Sequence, residues 1–250
     1  MSKEISKKEQ AAVANQVNLP KGFEDEQEND MIIPRVKLIQ SLSPERKDKL
    51  AEEGDIINSL TMEKLNGKVF VPVFKFNSNI EWVPRTDGGG IACHARTAKV
   101  GTEPSGVTKV CAVCRRNEWD NSKQGRDAIP KCTKYINFFG FIEGEKLPLI
   151  LSFAKTNYNE GKKMYSLAKV TMQNMWHNGY KLQEKTQAKN GNEWFIIDVA
   201  AAGPVSEEDR NYGAELYASF REASFIYDMD ESTSSKADIQ DVDADEATEY

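Results

Sequence analysis

The chain has 250 residues, of which 39% are apolar and 9% aromatic, and this composition is sufficient for a packed core. The N-terminal residues lack the apolar segment of a secretory signal, and no stretch approaches the roughly 18 apolar residues of a membrane span. We therefore expect a cytoplasmic protein with no membrane partner, in which cysteines bind metal more readily than they form disulfides.

The formal charge of −6 is distributed unevenly along the chain. Residues 228–250 contain nine acidic residues and one lysine, and residues 1–30 contain seven acidic and four basic residues. The remaining residues 31–227 contain 28 basic and 23 acidic residues, so their net charge is +5. We interpret residues 1–30 as a flexible N-terminal arm, residues 31–227 as a mildly basic folded body, and residues 228–250 as a disordered acidic tail.

The first part of the body is predicted to form strands. Segments 68–76 and 79–85 are rich in β-branched and aromatic residues, and a polar step at residues 77–78 separates them. This pattern predicts a hairpin, with Pro72 and Pro84 at sheet edges or bulges.

The rest of the body is predicted to alternate strands and helices. Segments 134–143 and 147–154 are strand-like and are joined through Gly144. The other predicted elements are a short helix opened by Ser43 and Pro44, a helix around residues 162–176, a hairpin over residues 180–200 that turns at Asn190 and Gly191, and a closing helix capped by Ser206.

These elements define the expected fold class. We expect a mainly β fold with a few helices (α+β), built as an OB-like antiparallel barrel with disordered termini. The segment at about residues 87–133 has little periodic apolar content but contains every cysteine. Since such a segment cannot build its own core, we interpret it as a zinc-binding insertion in the barrel.

The four cysteines have the spacing of a metal site. Cys93, Cys111, Cys114 and Cys132 form the pattern C-x17-C-x2-C-x17-C. Tetrahedral zinc takes four soft ligands, and a C-x2-C pair supplies two of them from one turn. We therefore predict a structural Zn²⁺ site on these four thiols, with no open coordination position for catalysis.

Alternatives to this zinc site stay open: a redox dithiol, an iron–sulfur cluster and unliganded thiols. A dithiol of the thioredoxin kind is disfavoured because no βαβ pattern surrounds the C-x2-C pair. His94 could replace Cys93 as a ligand, but adjacent residues rarely bind one tetrahedral metal, so the thiol is favoured.

Basic and aromatic residues are concentrated around and after the cysteines. Residues 85–169 contain fifteen basic and eight acidic residues, and lysine and arginine there can neutralise phosphates while aromatic rings stack on unpaired bases. Trp194 and Phe195 are instead expected in the core. The residues expected to contact nucleic acid are Lys75, Trp82, Arg85, Arg115, Arg116, Trp119, Lys134, Tyr135, Phe139, Phe141, Lys155, Tyr158, Lys162, Lys163 and Tyr165.

The strand "KYINFFGFI" shows how these contacts are chosen. Alternation places Tyr135, Asn137, Phe139 and Phe141 on one face, and the polar members favour this face as the outer one. Large exposed aromatics need a partner, and single-stranded nucleic acid is such a partner. The alternative is that these aromatics belong to the core.

The segment "KTNYNEGKKMY" is a second candidate for contacts with nucleic acid. Lys155, Lys162 and Lys163 alternate with two tyrosines around Gly161, which suits a loop that follows a phosphate backbone. A solvated surface with no ligand is the alternative for this charge run.

No catalytic motif is present. The sequence lacks Walker, G-x-S-x-G and H-E-x-x-H motifs, and it contains only two histidines, His94 and His177. Glu193 and Asp198 could in principle hold Mg²⁺ as in a nuclease. We expect a protein that is not an enzyme.

The basic OB-like body, the cysteine-rich insertion and the acidic tail ending in Tyr250 together resemble the single-stranded-DNA-binding proteins of tailed bacteriophages. The stretch from Gly54 to Gly90 is similar to the N-terminal part of such phage proteins. The zinc-containing members use one histidine and three cysteines, whereas this chain offers four evenly flanked cysteines. The resemblance implies a protein of the host cell cytoplasm that coats replication and recombination intermediates and recruits polymerase or helicase through residues 228–250.

The first hypothesis is therefore a sequence-tolerant single-stranded-DNA-binding protein. The second is a zinc-ribbon factor that docks on a polymerase or another protein, and the third is a metal-dependent nuclease. Steep salt dependence and tighter binding without the acidic tail are expected from the first hypothesis.

Overall fold

The structure is a computed structural model that describes residues 32–123, 128–189 and 191–221. The chain divides into a unit of Met1–Ile32 and a unit of Ile33–Tyr250, and the second unit contains every element below. The predicted N-terminal arm and acidic tail lie outside the described residues, as does Asn190 of the predicted turn.

The described residues form three α-helices and ten strands. No helix among them is long and apolar enough to cross a membrane. The helices are α1 (Pro44–Lys47), α2 (Tyr158–Val170) and α3 (Glu207–Phe220), and the strands are β1 (Val36–Leu38), β2 (Ile56–Asn58), β3 (Val69–Trp82), β4 (Ile91–Ala95), β5 (Val100–Thr102), β6 (Thr108–Val110), β7 (Cys132–Ile142), β8 (Pro148–Ala154), β9 (Asn178–Lys189) and β10 (Asn192–Pro204).

The strands form an open antiparallel sheet. Its order is β10-β9-β3-β4-β5-β6, and β7 pairs with both β3 and β8, while β1 and β2 form a separate two-stranded sheet. The expected mainly β, antiparallel architecture is confirmed. The barrel is not closed, because β8 and β10 are not hydrogen-bonded to each other along their described residues.

Strand β3 is continuous, so the hairpin predicted for residues 68–85 is wrong. Asn77 and Ser78, the expected turn, pair in register with Ile136 and Tyr135 of β7. Because β7 supplies partners along this whole length, the polar step stays extended instead of turning. Pro72 lies where the β3–β7 register shifts, as the expectation of a bulge required.

The core has two parts, one on each face of strands β3, β7 and β8. Helix α2 covers one face, where Met164 packs with Phe138 and Phe153. Helix α3 covers the other face, where Leu216 belongs to the same cluster as Phe139. Since both faces are covered, neither set of alternating side chains on β7 is generally exposed.

Several local predictions are confirmed. The side chain of Ser206 accepts a hydrogen bond from the backbone N–H of Asp209 and caps α3, as the sequence indicated. Strands β9 and β10 pair from Asn178 to Pro204 as the predicted hairpin. Helix α1 begins at Pro44, directly after Ser43.

Candidate functional site

The four cysteines line one pocket at the end of the sheet. Cys93 lies on β4, Cys132 begins β7, Cys111 begins a 3₁₀ turn, and Cys114 directly follows that turn. Glu81 of β3 is the cross-strand partner of both Cys93 and Cys132. Antiparallel pairing on either side of β3 therefore brings together thiols that are 39 residues apart.

Gly101 of β5 lets the backbone approach this cluster closely. A Cβ atom at residue 101 would lie 2.6 Å from the Sγ atom of Cys93 and 3.9 Å from that of Cys111. Real Cβ atoms essentially never make contacts as short as the first of these. A larger residue at position 101 would therefore displace the Cys93 thiol.

His94 does not line this pocket. Its cross-strand partners are Ile80 and Thr102, whereas the pocket side chains of β3 are Asn79 and Glu81. Successive residues of a strand point to opposite faces, so His94 lies on the other side of the sheet from Cys93. Burial, together with the nearby Arg96 and Arg35, lowers the pKa of His94 to about 4.

The thiols form the soft donor set that zinc prefers, but their sulfur atoms are not arranged around one common metal position. Across the described ranges, no group of three or more cysteine, histidine or acidic side chains is positioned to hold a metal ion. Burial, with the Glu81 carboxylate nearby, raises the pKa of Cys132 to about 12. Burial also raises the pKa of Cys93. Metal binding would have to deprotonate these thiols.

Arg116 lines the cysteine pocket, where two carboxylates engage its side chain, and its contact with nucleic acid stays a prediction. Its Nη1 atom donates to Glu81 at 2.6 Å and to Glu103 at 3.4 Å. Both guanidinium contacts are therefore internal. Its neighbour Arg115 is exposed, and Trp119 is 64% exposed.

Residues 155–165 form a 3₁₀ turn and the first part of a helix, so the predicted loop is wrong, whereas the phosphate contacts predicted for its lysines stay a prediction. A 3₁₀ turn over Lys155–Asn157 leads directly into α2. Gly161 is buried against Phe153, where an added Cβ atom would lie 2.8 Å from the Phe153 Cβ. This glycine serves close packing of the helix on β8.

Tyrosine and lysine alternate along one side of α2, a feature named here the α2 stripe. It consists of Tyr158, Lys162, Tyr165 and Lys169, whose spacings of four, three and four residues place them on one helix face. The Lys162 Nζ atom lies 5.1 Å from the centroid of the Tyr158 ring. Lys162 and Lys169 are exposed, and Tyr165 is 37% exposed. The stripe is about 16 Å long.

Two further predicted lysines contact α2 or belong to it. Lys75 of β3 places its Nζ atom 5.0 Å from the centroid of the Tyr165 ring. Lys163 of α2 instead pairs with Asp198 at 2.7 Å and with Glu160 at 3.2 Å. Lys75 therefore contacts the stripe from β3, and Lys163 links α2 to β10 through its ion pair with Asp198.

The remaining predicted contacts lie nearer the cysteines. The Nε1 atom of Trp82 donates to the hydroxyl of Tyr135 at 3.2 Å, and both rings are half-buried. Lys134 is exposed on β7. The side chain of Arg85 lies outside the described part of the structure.

Phe139 and Phe141 are buried, so the face that carries them is not the outer one. Both are 0% exposed. Phe139 stacks on Phe74 with ring centroids 4.9 Å apart, and Phe141 meets Tyr212 of α3 edge-on. A helix that lies more than 60 residues further along the chain covers this face, which the strand's own alternation could not indicate.

The carboxylates considered for a nuclease do not come together. Glu193 and Asp198 of β10 are five residues apart, so their side chains lie on opposite faces and about 16 Å apart along the strand. Asp198 is already engaged by Lys163.

Lys169 is a candidate contact that the sequence reasoning missed. Its signal was the helical spacing from Tyr158 and Tyr165, which is lost when residues 155–165 are interpreted as a loop.

Most of the chain matches one protein family. Residues 4–225 match the model of a family described as Pam3 phage gp34-like protein. No curated protein and no solved structure matches the chain significantly.

Proposed function

The chain belongs to the Pam3 phage gp34-like protein family, and from this premise we propose that it is a non-catalytic bacteriophage protein that binds single-stranded DNA. Binding is tolerant of sequence, since it uses ring faces and phosphates instead of base edges. In this role the protein coats and protects replication and recombination intermediates.

The observation that carries this proposal is the α2 stripe. Tyr165 offers a partly exposed ring on which a base can stack, and Lys162 and Lys169 offer ammonium groups to the phosphates on either side of it. Tyr158 packs partly against the core and carries Lys162 over its ring, so it positions Lys162. Lys75 covers one side of the Tyr165 ring, so a base stacks on the other side.

The order of elements also supports the proposal. Strands β3, β7 and β8, helix α2 and strands β9 and β10 follow one another, and β3 pairs with both β7 and β9. This arrangement fits the five-stranded, partly open barrel of the OB fold, whose members commonly bind oligonucleotides. The cysteine-rich segment is then an insertion between the first and second barrel strands. A shared fold alone carries no function, so the α2 stripe remains the stronger support.

The cysteine pocket is proposed to hold a structural Zn²⁺ ion. Its support is the gathering of four thiols in one pocket and the close approach of Gly101 to the Cys93 thiol. Cys93, Cys111, Cys114 and Cys132 would hold the ion, which would supply folding energy to a segment of short strands and turns. Zinc binding would require the four sulfur atoms to move closer together.

The acidic tail completes the proposal from the sequence alone. Residues 228–250 would compete with DNA for the basic surface and recruit replication proteins such as a polymerase or helicase.

A binding titration tests the proposed function. Fluorescence anisotropy of a labelled mixed-sequence single strand and of the matching duplex is measured over a series of salt concentrations, with the full chain and with a chain ending at residue 227. We expect preference for the single strand, affinity that falls steeply with salt, and tighter binding without the tail. Absence of single-strand binding by both chains would overturn the proposal.

A further inference from the structure

The β9–β10 hairpin extends beyond its pairing with the rest of the sheet. Strand β9 pairs with β3 only through Tyr180 and Lys181, and Leu182 exchanges backbone hydrogen bonds with Gly67 and Lys68. From residue 183 onward, β9 pairs only with β10. The far end of this hairpin is therefore a two-stranded ribbon. Its side chains are not constrained by packing against β3.

One face of this ribbon is basic. Alternation places Lys181, Gln183, Lys185, Gln187 and Lys189 on the same face of β9, over about 26 Å. The three lysines are exposed, and none of them forms an ion pair within the described ranges. We name these three residues the β9 lysines. Their spacing of four residues allows each ammonium group to reach a different phosphate, although Lys185 also lies near the Asp198 carboxylate.

Trp194 of β10 lies on this same face, directly opposite Gln187 of β9. Its ring is half-buried, and its Nε1–H group is enclosed without a hydrogen-bond partner. An unpaired buried donor costs free energy that a ligand acceptor can recover where it reaches the indole N–H. An aromatic ring between cations is also a stacking platform for a base.

The basic face continues the surface of α2. Asp198, which shares this face as the cross-strand partner of Gln183, accepts the ion pair from Lys163 of α2 at 2.7 Å. Helix α2 therefore lies beside the ribbon. None of the five residues of the β9 face is acidic, whereas the β10 side of this face carries Asp198 and the buried Ile196.

We infer that the β9 lysines and Trp194 form a second contact region for a single nucleic-acid strand that leaves the α2 stripe. The inference rests on the proposed function and assigns residues that the sequence did not suggest. The ligand chemistry is a sugar–phosphate backbone with at least one unpaired base.

A duplex fits this ribbon less well. A two-stranded ribbon can enter a major groove when it is free of the rest of the protein. Here the opposite face is held to the body, because Glu184 accepts from Asn66 at 2.6 Å and the Phe195 ring lies against Gly54. Gln40, which hydrogen-bonds the Phe195 backbone, covers part of the outer edge of β10. Only one face is therefore available, which suits a flexible strand lying across it.

The test compares two double variants that remove the same charge. Lys185→Gln/Lys189→Gln alters the ribbon, and Lys47→Gln/Lys49→Gln alters exposed lysines in and after α1. Single-strand affinity is measured against salt for both. We expect the ribbon variant to reduce the slope of log K against log salt by about 1.4, since each phosphate contact contributes about 0.7 for a single strand. Equal slopes in the two variants would overturn the inference, whereas the wild-type protein would still report on the proposed function. Slope loss confined to duplex binding would also overturn it.

Trp194 provides an independent readout. Trp194→Leu should lower single-strand affinity roughly 5- to 150-fold without changing the salt slope, because stacking releases no counterions. Circular dichroism and thermal unfolding establish that the variant is folded. A folded variant with wild-type affinity contradicts the role of Trp194.

Discussion

The Nζ atom of Lys75 on β3 lies 5.0 Å from the centroid of the Tyr165 ring on α2. This cation–π contact joins a lysine of the central strand to a tyrosine of the helix surface. Burial lowers the pKa of the Lys75 ammonium group. The charge remains attracted to the ring face, which holds Tyr165 against the sheet, and the residue is 37% exposed. The residue pair joins β3 to the α2 stripe.

Replacement of Tyr165 tests the stripe directly. We expect Tyr165→Ala to reduce single-strand affinity roughly 5- to 150-fold, because one base loses its stacking partner, and Tyr165→Phe to bind nearly as the wild type does. Tyr217 of α3, which is 39% exposed and packs near Phe74, is the matched control. Equal losses in Tyr165→Ala and Tyr217→Ala would contradict a specific role for the stripe.

Metal content tests the cysteine pocket. We expect about one zinc per chain in the purified protein, by elemental analysis, and loss of that zinc in Cys114→Ser. His94→Gln should retain zinc, since His94 lies on the opposite face from Cys93. Chelation should lower the melting temperature of the wild type but not that of Cys114→Ser. A wild-type protein without zinc, or a Cys114→Ser protein with a full complement, contradicts the site.

Local signals made part of the structure predictable. The cap formed by Ser206 depends on residues three positions apart, and the β9–β10 hairpin depends on two adjacent strands. The cysteine spacing likewise allowed the prediction that four distant thiols would gather, and the structure places them in one pocket. Each of these features is encoded within a short segment or in a distinctive residue type.

Features set by distant partners were not predictable in the same way. The polar residues Asn77 and Ser78 indicate a turn until β7 is known to pair with them. Similarly, the alternation of β7 separates Phe138 from Phe139 but does not show that α2 and α3 each cover one face. The predicted loop around Gly161 failed because glycine serves helix packing there.

Phe139 should affect stability and not binding. Phe139→Ala removes a fully buried ring that stacks on Phe74, and we expect a loss of about 3–5 kcal/mol in the free energy of unfolding, measured by denaturant titration. Phe139→Leu, which keeps most of the volume, should cost less. The folded fraction of either variant should bind a single strand with wild-type affinity, and a selective loss of affinity would restore Phe139 as a nucleic-acid contact.

Substitutions of Arg116 and of its neighbour Arg115 should have different effects on zinc retention and on DNA binding by the cysteine-rich segment. Arg116 donates to Glu81, whose carboxylate side chain is 10% exposed, so Arg116→Gln leaves a nearly buried carboxylate without its strongest partner. We expect a cost of about 1–3 kcal/mol in the free energy of unfolding and faster zinc loss to a chelator, with little change in the salt slope of DNA binding.

Arg115 is exposed, so Arg115→Gln should retain zinc and reduce the salt slope of DNA binding by about 0.7 if Arg115 contacts a phosphate. In the double variant Glu81→Gln/Arg116→Gln, the two costs should not add, because both remove one interaction. Additive costs, or a lower salt slope in Arg116→Gln, would show that Arg116 turns outward to bind DNA.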